Sequence, residues 1–440
     1  MRNKLQGNIA IIGMGITGFS VIRFLSKYPV KCTIFDENNN SKYKREIETL
    51  FPEVKIVTGD FDWEYINNAS YVIMSPGISP NKGLWRSVPR EKLISDVELF
   101  AHFATAPIIA VTGTNGKSTV CAMLEAALTK MQYNVALGGN FGTPALQLLD
   151  YNDIDFYILE LSSFQLELTY NLKPRVATIL NITEDHIDWH GSFSDYQKAK
   201  ERIYLNSENI IVNRQYKNLY AKVPAIFASF GSDQPHAKNE FGINDKAIFY
   251  GDNELINIEA LTLPGSINTL NYLATFAILS ALGLSSQEYI PACLSFTGLM
   301  HRCQFFGSFS KRFWYNDSKA TNSGALLAAV ESLAHENRQT ILLAGGVYKE
   351  NKVPDLPVDS NIKAIILFGK DANVLYSKWS NSLDCHIVDN LNAAIDLAFD
   401  LSGVGDNILL SPACASFDQF ENYMARGEAF TSYVKQKFKA

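Results

Sequence analysis

At 440 residues, 47% of them hydrophobic, the chain exceeds one ordinary core and is expected to divide into about two to four domains. A formal net charge of −6 without a long basic run argues against a nucleic-acid or anionic-membrane surface, because counterion release needs clustered Lys and Arg. Six scattered cysteines with no C-x-x-C pair suggest neither a zinc knuckle nor a disulfide framework, so a reducing compartment is expected.

The N-terminal apolar run IAIIGMGITG is broken by glycines and reads as a first strand rather than a leader. It belongs to a strand–loop–helix pattern: NIAIIG passes through GMGITG into FSVIRFLSKY, then VKCTIFD, EVKIVTG and YVIMSPG follow, together a small doubly wound α/β unit. REKLISDVELF (90–100) reads as a charged connection, which puts a boundary near Ser95 and a first domain over 1–95. PIIAVTG then restarts the pattern with the helix-period TVCAMLEAALTKM, followed by FYILELSS, VATILNIT and a helix over DYQKAKERIYLN. The polar stretch 214–262, with pieces such as KAIFYG, reads as antiparallel strands. LNYLATFAILSALGL, about 15 residues and containing Asn271 and Thr275, is too short for a membrane span and reads as a helix closing a second domain over 96–298. In the third domain, 299–440, strands are expected at RFWYNDS, QTILLAGG, KAIILFG, DCHIVD and NILLSPA.

Several motifs sit on these elements. VTGTNGKSTV (111–120) lacks the first glycine of the usual G-x-x-x-x-G-K-[ST] loop, yet it keeps Gly113 and Gly116 for close backbone approach to phosphate. It also keeps Lys117 as a point charge and Ser118 and Thr119 as hydroxyls at a helix N-terminus. Gly13, Gly15 and Gly18 form G-x-G-x-x-G with Asp36 ending the next strand, a dinucleotide-type fingerprint that leaves nicotinamide, flavin and other nucleotides equally open. Glu160 ends a strand, where a carboxylate can serve Mg2+; His186 follows another, beside Glu184 and Asp185. Lys200 lies among Lys198, Glu201 and Arg202 and by spacing alone reads as a solvated helix face. His301-Arg302, NDSKATN (316–322) and SPACASFDQF (411–420) bring charge and hydroxyls to the last third, with Ser416 expected to cap the helix that follows.

Taken in order, GMGITG, SPGIS, TGTNGKST, GGNFG, ELSSFQLE, NITEDH, KAKERIY, HR, NDSKATN and SPACASFDQF resemble the Mur ligases from end to end, and the short loop resembles that family's own ATP loop. The resemblance implies a three-domain α/β protein: an N-terminal Rossmann-like domain, a central P-loop ATPase-like mixed sheet and a C-terminal Rossmann-like domain. It implies a cytoplasmic, monomeric ligase of peptidoglycan precursor synthesis. ATP would phosphorylate the carboxylate of a UDP-linked muramoyl-L-alanine, and an amino acid would attack the acyl phosphate. NDSKATN with SPACASFDQF, and the lack of a D-N-P-R segment, favour D-glutamate as that amino acid.

Carried over by position, Gly113, Thr114, Asn115, Gly116, Lys117, Ser118, Thr119, Asn268, Asn271, Arg302 and Asp317 would bind ATP. Lys117, Glu160, His186 and Lys200 would be catalytic. Ser118, Thr119, Glu160, His186 and a carbamylated Lys200 would hold Mg2+, expected as two ions. Gly15, Thr17, Asp36, Ser75, Gly77 and Asn140 would bind UDP-N-acetylmuramoyl-L-alanine, and Lys319, Thr321, Lys349, Ser416 and Tyr423 would bind D-glutamate. The chain departs from the family's pattern at Val347 and Tyr348, where G-G-D-x-K loses its aspartate, at Ile267 in place of His, at Tyr423 in place of Phe, and at Glu37. These departures bear on how tightly each substrate binds.

Overall fold

The computed structural model describes residues 7–219, 223, 225–263, 265–334, 338–350, 352–357 and 361–439. Within them the strands form three sheets, and the chain is of the α/β class expected. The described residues fall into two compact units: residues up to Ala260 with Leu270–Phe296, and Leu261–Thr269 with the residues from Thr297 onward.

The first sheet contains β1 (Asn8–Ile12), β2 (Lys31–Asp36), β3 (Lys55–Thr58), β4 (Tyr71–Met74) and β5 (Leu93–Ile94), in the order β3-β2-β1-β4-β5. All its pairings are parallel. The near-continuous apolar run of β1 suits a central parallel strand buried on both faces. Strand order reverses between β1 and β4, the kind of crevice at which open α/β sheets bind ligands.

The second sheet, in the same unit, is built from β6 (Ile108–Thr112), β7 (Val135–Gly139), β8 (Phe156–Glu160), β9 (Val176–Ile179), β10 (Asn209–Asn213), β11 (Ala228–Phe230), β12 (Glu240–Asn244), β13 (Ala247–Tyr250) and β14 (Asn253–Asn257). Its order is β14-β13-β12-β11-β10-β9-β6-β8-β7. Strand β6 lies between β8 and β9, with Val111 opposite Glu160 and Thr112 opposite Ile179, so three strand ends deliver their loops to one edge. The polar stretch expected to be antiparallel is so only over β12–β14; β11 pairs in parallel with both neighbours. Residues 220–222 and 224 of that stretch lie outside the described residues.

The segment read as a charged connection is instead buried from Leu93 onward. It contributes β5 and the helix Asp96–Ala101, in which Asp96, Val97, Glu98, Leu99 and Phe100 are all buried. Its charges have interior work: Glu98 Oε2 accepts the N–H groups of Tyr170 (2.7 Å) and Asn171 (2.8 Å), and Ser95 caps the helix by accepting from Glu98 N. The first two sheets accordingly share one core, where Val21, Phe24 and Ile73 pack with Phe103, Ile108 and Leu159. Ring pairs Phe24–Phe103 (4.9 Å) and Phe100–Tyr157 (5.1 Å) cross it. Charged residues in a sequence mark surface only when no partner awaits them inside.

In the second unit the strands are β15 (Gln304–Phe309), β16 (Arg312–Asn316), β17 (Thr340–Gly345), β18 (Ile362–Phe368), β19 (Cys385–Ile387) and β20 (Asn407–Leu410), ordered β15-β16-β20-β17-β18-β19. The five strands expected there form and run parallel. An unanticipated antiparallel edge strand, β15, joins β16. Ser416 does not cap the last helix. That helix is Tyr423–Lys437, and Asn422, in extended backbone, caps it by accepting from Ala425 N at 2.9 Å. Ser416 instead starts a turn, its carbonyl accepting from Gln419 N and Phe420 N. Among the described residues no helix is long and apolar enough to cross a membrane.

Candidate functional site

The phosphate loop leaves β6 at Thr112 and enters the helix Lys117–Lys130 through Gly116, whose left-handed backbone (φ 83°) few side chains tolerate. A Cβ there would also lie 2.6 Å from Asn271 Oδ1, so Asn271 stands directly against the loop. Asn181, just past β9, holds the loop's other face. Its Oδ1 accepts from Thr114 N (3.1 Å) and Asn115 N (2.9 Å), and its Nδ2 donates to Asn115 O (3.0 Å). Thr114 Oγ1 lies 3.0 Å from the Tyr196 hydroxyl.

Two lysines converge on one carbonyl of this loop. Lys117 Nζ donates to Gly113 O (2.8 Å) and Thr114 O (2.7 Å), while Lys200 Nζ donates to Gly113 O (2.9 Å) and Thr112 Oγ1 (3.3 Å). Lys200 is 2% exposed, which overturns the solvated-face reading of its helix: Phe193–Glu201 turns Tyr196, Ala199 and Lys200 inward. Burial, helped by the charge of Lys117, holds the Lys200 ammonium well below the usual lysine range. On the adjoining strand end, buried Glu160 accepts from Ser118 Oγ (2.6 Å) and from Asn140 Nδ2 (2.7 Å). Thr119 follows in the first helical turn, partly buried.

His186 precedes the short helix Ile187–His190 in left-handed backbone (φ 54°), with Nε2 3.5 Å from Asp185 Oδ2 and its ring 4.7 Å from that of Phe164. Burial lowers its pKa, and Lys200 and Lys117 add to that lowering. His190 was not anticipated. It is buried, its Nε2 lies 2.9 Å from Ser163 Oγ, and burial pulls its pKa down to about 4, so it stays neutral near neutral pH.

Among the described residues no group of three or more His, Cys, Asp or Glu gathers as a metal cage. The donors that do gather are oxygens, the Glu160 carboxylate and Ser118 hydroxyl beside a phosphate loop. That set fits Mg2+, which takes one or two carboxylates and completes its shell with phosphate and water.

At the crevice of the first sheet, Gly13 (φ 94°) turns the chain and donates to Phe35 O. Asp36 accepts from Met14 N (2.6 Å) and Asn38 N (2.8 Å), so its carboxylate braces the glycine loop. Ser75 Oγ donates to Gly13 O (3.3 Å); Gly15 caps the helix Ile16–Leu25, Thr17 sits in its first turn, and Gly77 is exposed beyond β4.

The second unit gathers another set. Asp317 is buried, its Oδ1 accepting from Cys303 N (3.0 Å) and its Oδ2 from Ser411 Oγ (2.7 Å), and burial raises its pKa to about 7. Lys319 Nζ lies 4.0 Å from the centre of the Tyr423 ring, and Lys349 Nζ 5.4 Å from that of Phe417. Thr321 is half-buried, Ser416 buried, and Arg302 half-buried beside buried His301. Asn268 lies in the first turn of the helix Ser266–Ala281. Arg426, unremarked in the sequence, is fully buried and donates to Ser318 O (2.8 Å), Cys414 O (3.0 Å) and Gly345 O (3.4 Å). It thereby ties the ends of β16, β20 and β17 together. The structure thus brings Gly113 to Ser118, Glu160, Lys200 and Asn271 into one cluster together with Asn140, which was expected on the UDP side; the other expected UDP-side residues lie at the crevice of the first sheet, and the expected D-glutamate-side residues lie in the second unit, as do Asn268, Arg302 and Asp317.

Known proteins resemble the chain over nearly its whole length. Residues 7–89 match the Mur ligase MurD-like N-terminal domain, 111–279 the Mur ligase middle domain, and 301–414 the Mur ligase glutamate ligase domain. The UDP-N-acetylmuramoylalanine--D-glutamate ligase of Pseudoalteromonas translucida is 38% identical over 99% of this chain and 98% of that protein. The enzyme of the same name from Shewanella oneidensis is 38% identical over 97% of each. Among solved structures, UDP-N-acetylmuramate-alanine ligase MurC of Thermotoga maritima shares the fold with a TM-score of 0.62 at 15% identity, covering 98% of this chain and 99% of that one.

Proposed function

The chain belongs to the Mur ligase family, and we propose that it is the ATP-dependent, ADP-forming ligase that joins D-glutamate to UDP-N-acetylmuramoyl-L-alanine in peptidoglycan precursor synthesis. The reading includes action in the cytoplasm and as a monomer. The observation that carries it is the convergence of Lys117 and Lys200 on Gly113 O beside the Ser118–Glu160–Asn140 hydrogen bonds. This constellation stands in a chain similar throughout to ligases of that name.

In the proposed reaction the muramoyl-alanine carboxylate attacks the γ-phosphorus of ATP, forming an acyl phosphate and releasing ADP. The amine of D-glutamate then attacks the acyl carbon, and the tetrahedral intermediate collapses with loss of inorganic phosphate. Such transfer is mainly positioning and charge neutralisation. The Lys117 ammonium lines the phosphate path and exchanges two loop carbonyls for phosphate oxygens when nucleotide enters, while Asn181 engages the N–H groups of Thr114 and Asn115 and holds the loop's shape. Asn268, Asn271, Arg302 and Asp317 serve the remainder of ATP.

Mg2+, on which ligases of this family depend, neutralises phosphoryl charge when bound; Glu160, Ser118, Thr119, His186 and a carbamylated Lys200 are the donors offered to it. Carbamylation is favoured because burial lowers the pKa of Lys200 and so raises the share of its nucleophilic amine form: Nζ bonds to the carbon of CO2, one proton leaves, and the amine becomes an anion. Gly15, Thr17, Asp36, Ser75, Gly77 and Asn140 hold the UDP-linked substrate. Lys319, Thr321, Lys349, Ser416 and Tyr423 receive the amino acid, the two cations pairing with its carboxylates.

The test is phosphate release from ATP with UDP-N-acetylmuramoyl-L-alanine and, in turn, D-glutamate, L-glutamate, L-alanine, L-lysine and diaminopimelate. Release with D-glutamate alone is expected. Release with a different amino acid overturns the specificity, and release with none overturns the reading.

A further inference from the structure

Next to the two lysines of the second unit lies a set of polar contacts that the ligase reaction does not use. It centres on Tyr348, which follows Val347, the position where the chain's G-G-D-x-K motif loses its aspartate. The Tyr348 hydroxyl is 2.9 Å from Ser323 Oγ, donates to Lys352 O at 2.8 Å, and reaches Glu350 Oε2 at 3.3 Å. Glu350 in turn accepts the Ser323 N–H through Oε1 at 2.8 Å. Ser323 opens the helix Ser323–Ala334, so the Glu350 carboxylate satisfies a first-turn amide and faces the positive end of a twelve-residue helix. A hydroxyl has one proton to give. With Lys352 O as its shortest acceptor, Tyr348 accepts from Ser323, and both loops are engaged at once.

These contacts join two separate segments. One is 316–323, which carries Lys319 and Thr321; the other is 345–352, which carries Lys349. The second segment is also held from behind: Asp371 Oδ2 accepts from Tyr348 N at 2.8 Å, and Val347 exchanges two backbone hydrogen bonds with Ala415, beside Ser416. Asp371 and the Tyr348 phenol thus anchor this loop, in which Val347 stands where the family's motif has aspartate. Tyr348 is half-buried while the adjacent Lys349 is exposed, so fixing the first sends the second outward. Lys349 is left over the Phe417 ring, as Lys319 is over Tyr423.

We propose that Tyr348, Ser323 and Glu350 form a clasp that fixes the spacing between the Lys319–Thr321 segment and Lys349, and thereby the length and carboxylate spacing of the amino acid this ligase accepts. The clasp rests on the reading above that these lysines pair with the amino acid's carboxylates. Tyr348, Ser323 and Glu350 are positioning residues; none needs to touch substrate.

The experiment combines steady-state kinetics and amide hydrogen exchange on the full chain and on Tyr348→Phe, Ser323→Ala, Glu350→Ala and the Tyr348→Phe/Ser323→Ala pair. Losing one such hydrogen bond raises KM for D-glutamate about fivefold, with KM for ATP and for the UDP-substrate within about twofold of the parent. A general folding defect lowers the active fraction, and hence kcat, without that split. The double variant is expected to be no worse than the worse single one, because both remove the same contact. Exchange should quicken together at 316–323 and 346–350 in Tyr348→Phe while 113–120 is unchanged. Unchanged KM for the amino acid, or equal rises in all three KM values, overturns the clasp. If the parent prefers another amino acid, only the assignment of D-glutamate falls, and the KM comparison is made with the preferred one. If the parent turns over with none, the ligase reading falls and exchange decides: unchanged protection at 316–323 in Tyr348→Phe then overturns the clasp too.

Discussion

Two buried ionisable groups of the first unit have opposite consequences. Asp96 is buried in the helix after Ser95, and burial raises its pKa to about 6, against 3.8 for the free side chain. The native state therefore favours its protonated form. The stability this group contributes is fully present below pH 3.8 and is lost as pH rises through about 6. Asp96→Asn removes that dependence. The variant's stability relative to the parent should grow between about pH 4 and 7, by on the order of 1 to 3 kcal/mol. Denaturant midpoints of both proteins across that range are the measurement, and a constant difference would falsify the assignment. Lys200 is the functional counterpart, a lysine whose pKa burial lowers beside a phosphate loop. Lys200→Ala should lose on the order of a hundredfold in kcat, with part of the loss restored by acetate or another short carboxylate standing in for the carbamate. A variant as active as the parent would remove Lys200 from the mechanism.

Among the elements, the phosphate loop shows how little of a site lies in its motif. Gly116 and Lys117 are legible because a left-handed turn and a helix start need particular residues locally. The brace that shapes the loop, Asn181, comes from 66 and 67 residues away, off the end of β9, and although it opens the NITEDH motif, nothing in that motif assigns it to the loop. Removing its side chain leaves the Asn115 amide without this acceptor and Thr114 N with the Asn181 backbone carbonyl alone. Asn181→Ala should raise KM for ATP about tenfold and cost about 2 kcal/mol of stability. Nucleotide titrations and thermal unfolding would check this, and an unchanged KM would show that the loop holds its shape unaided. His190 and Arg426 escaped notice for the same reason: a histidine or arginine in a helical pattern reads as surface until its neighbours are known. Ser416 illustrates the converse, since a residue with the right chemistry for a cap is not one when a turn separates it from the helix.

Across the molecule, the most consequential difference from expectation is the join between the first two sheets. The stretch at 90–100 has the charge of a linker, yet its apolar residues complete a core common to both sheets. If that core is energetically shared, Phe24→Ala should cost about 3 to 5 kcal/mol and quicken amide exchange in β1 and β4 as well as in β6 and β8. Exchange that quickens in β1 and β4 alone would show two independently stable sheets.

Hydrophobic periodicity and glycine placement were enough to establish the α/β class, the parallel strands of the second unit and the loop at 113–118, because each depends on neighbours within a few residues along the chain. The ten ordered motifs carry most of the proposed ATP, UDP-substrate and amino-acid residues, while Asp36, Asn268, Asn271, Lys349 and Tyr423 lie outside them. Burial of Lys200, Asp96 and Glu98, the brace at Asn181, the Arg426 tie and the Tyr348 clasp were not legible in that way. Each is a polar group whose cost is met by partners distant in sequence, and whether a charge is solvated or satisfied inside depends on which segments the fold brings against it.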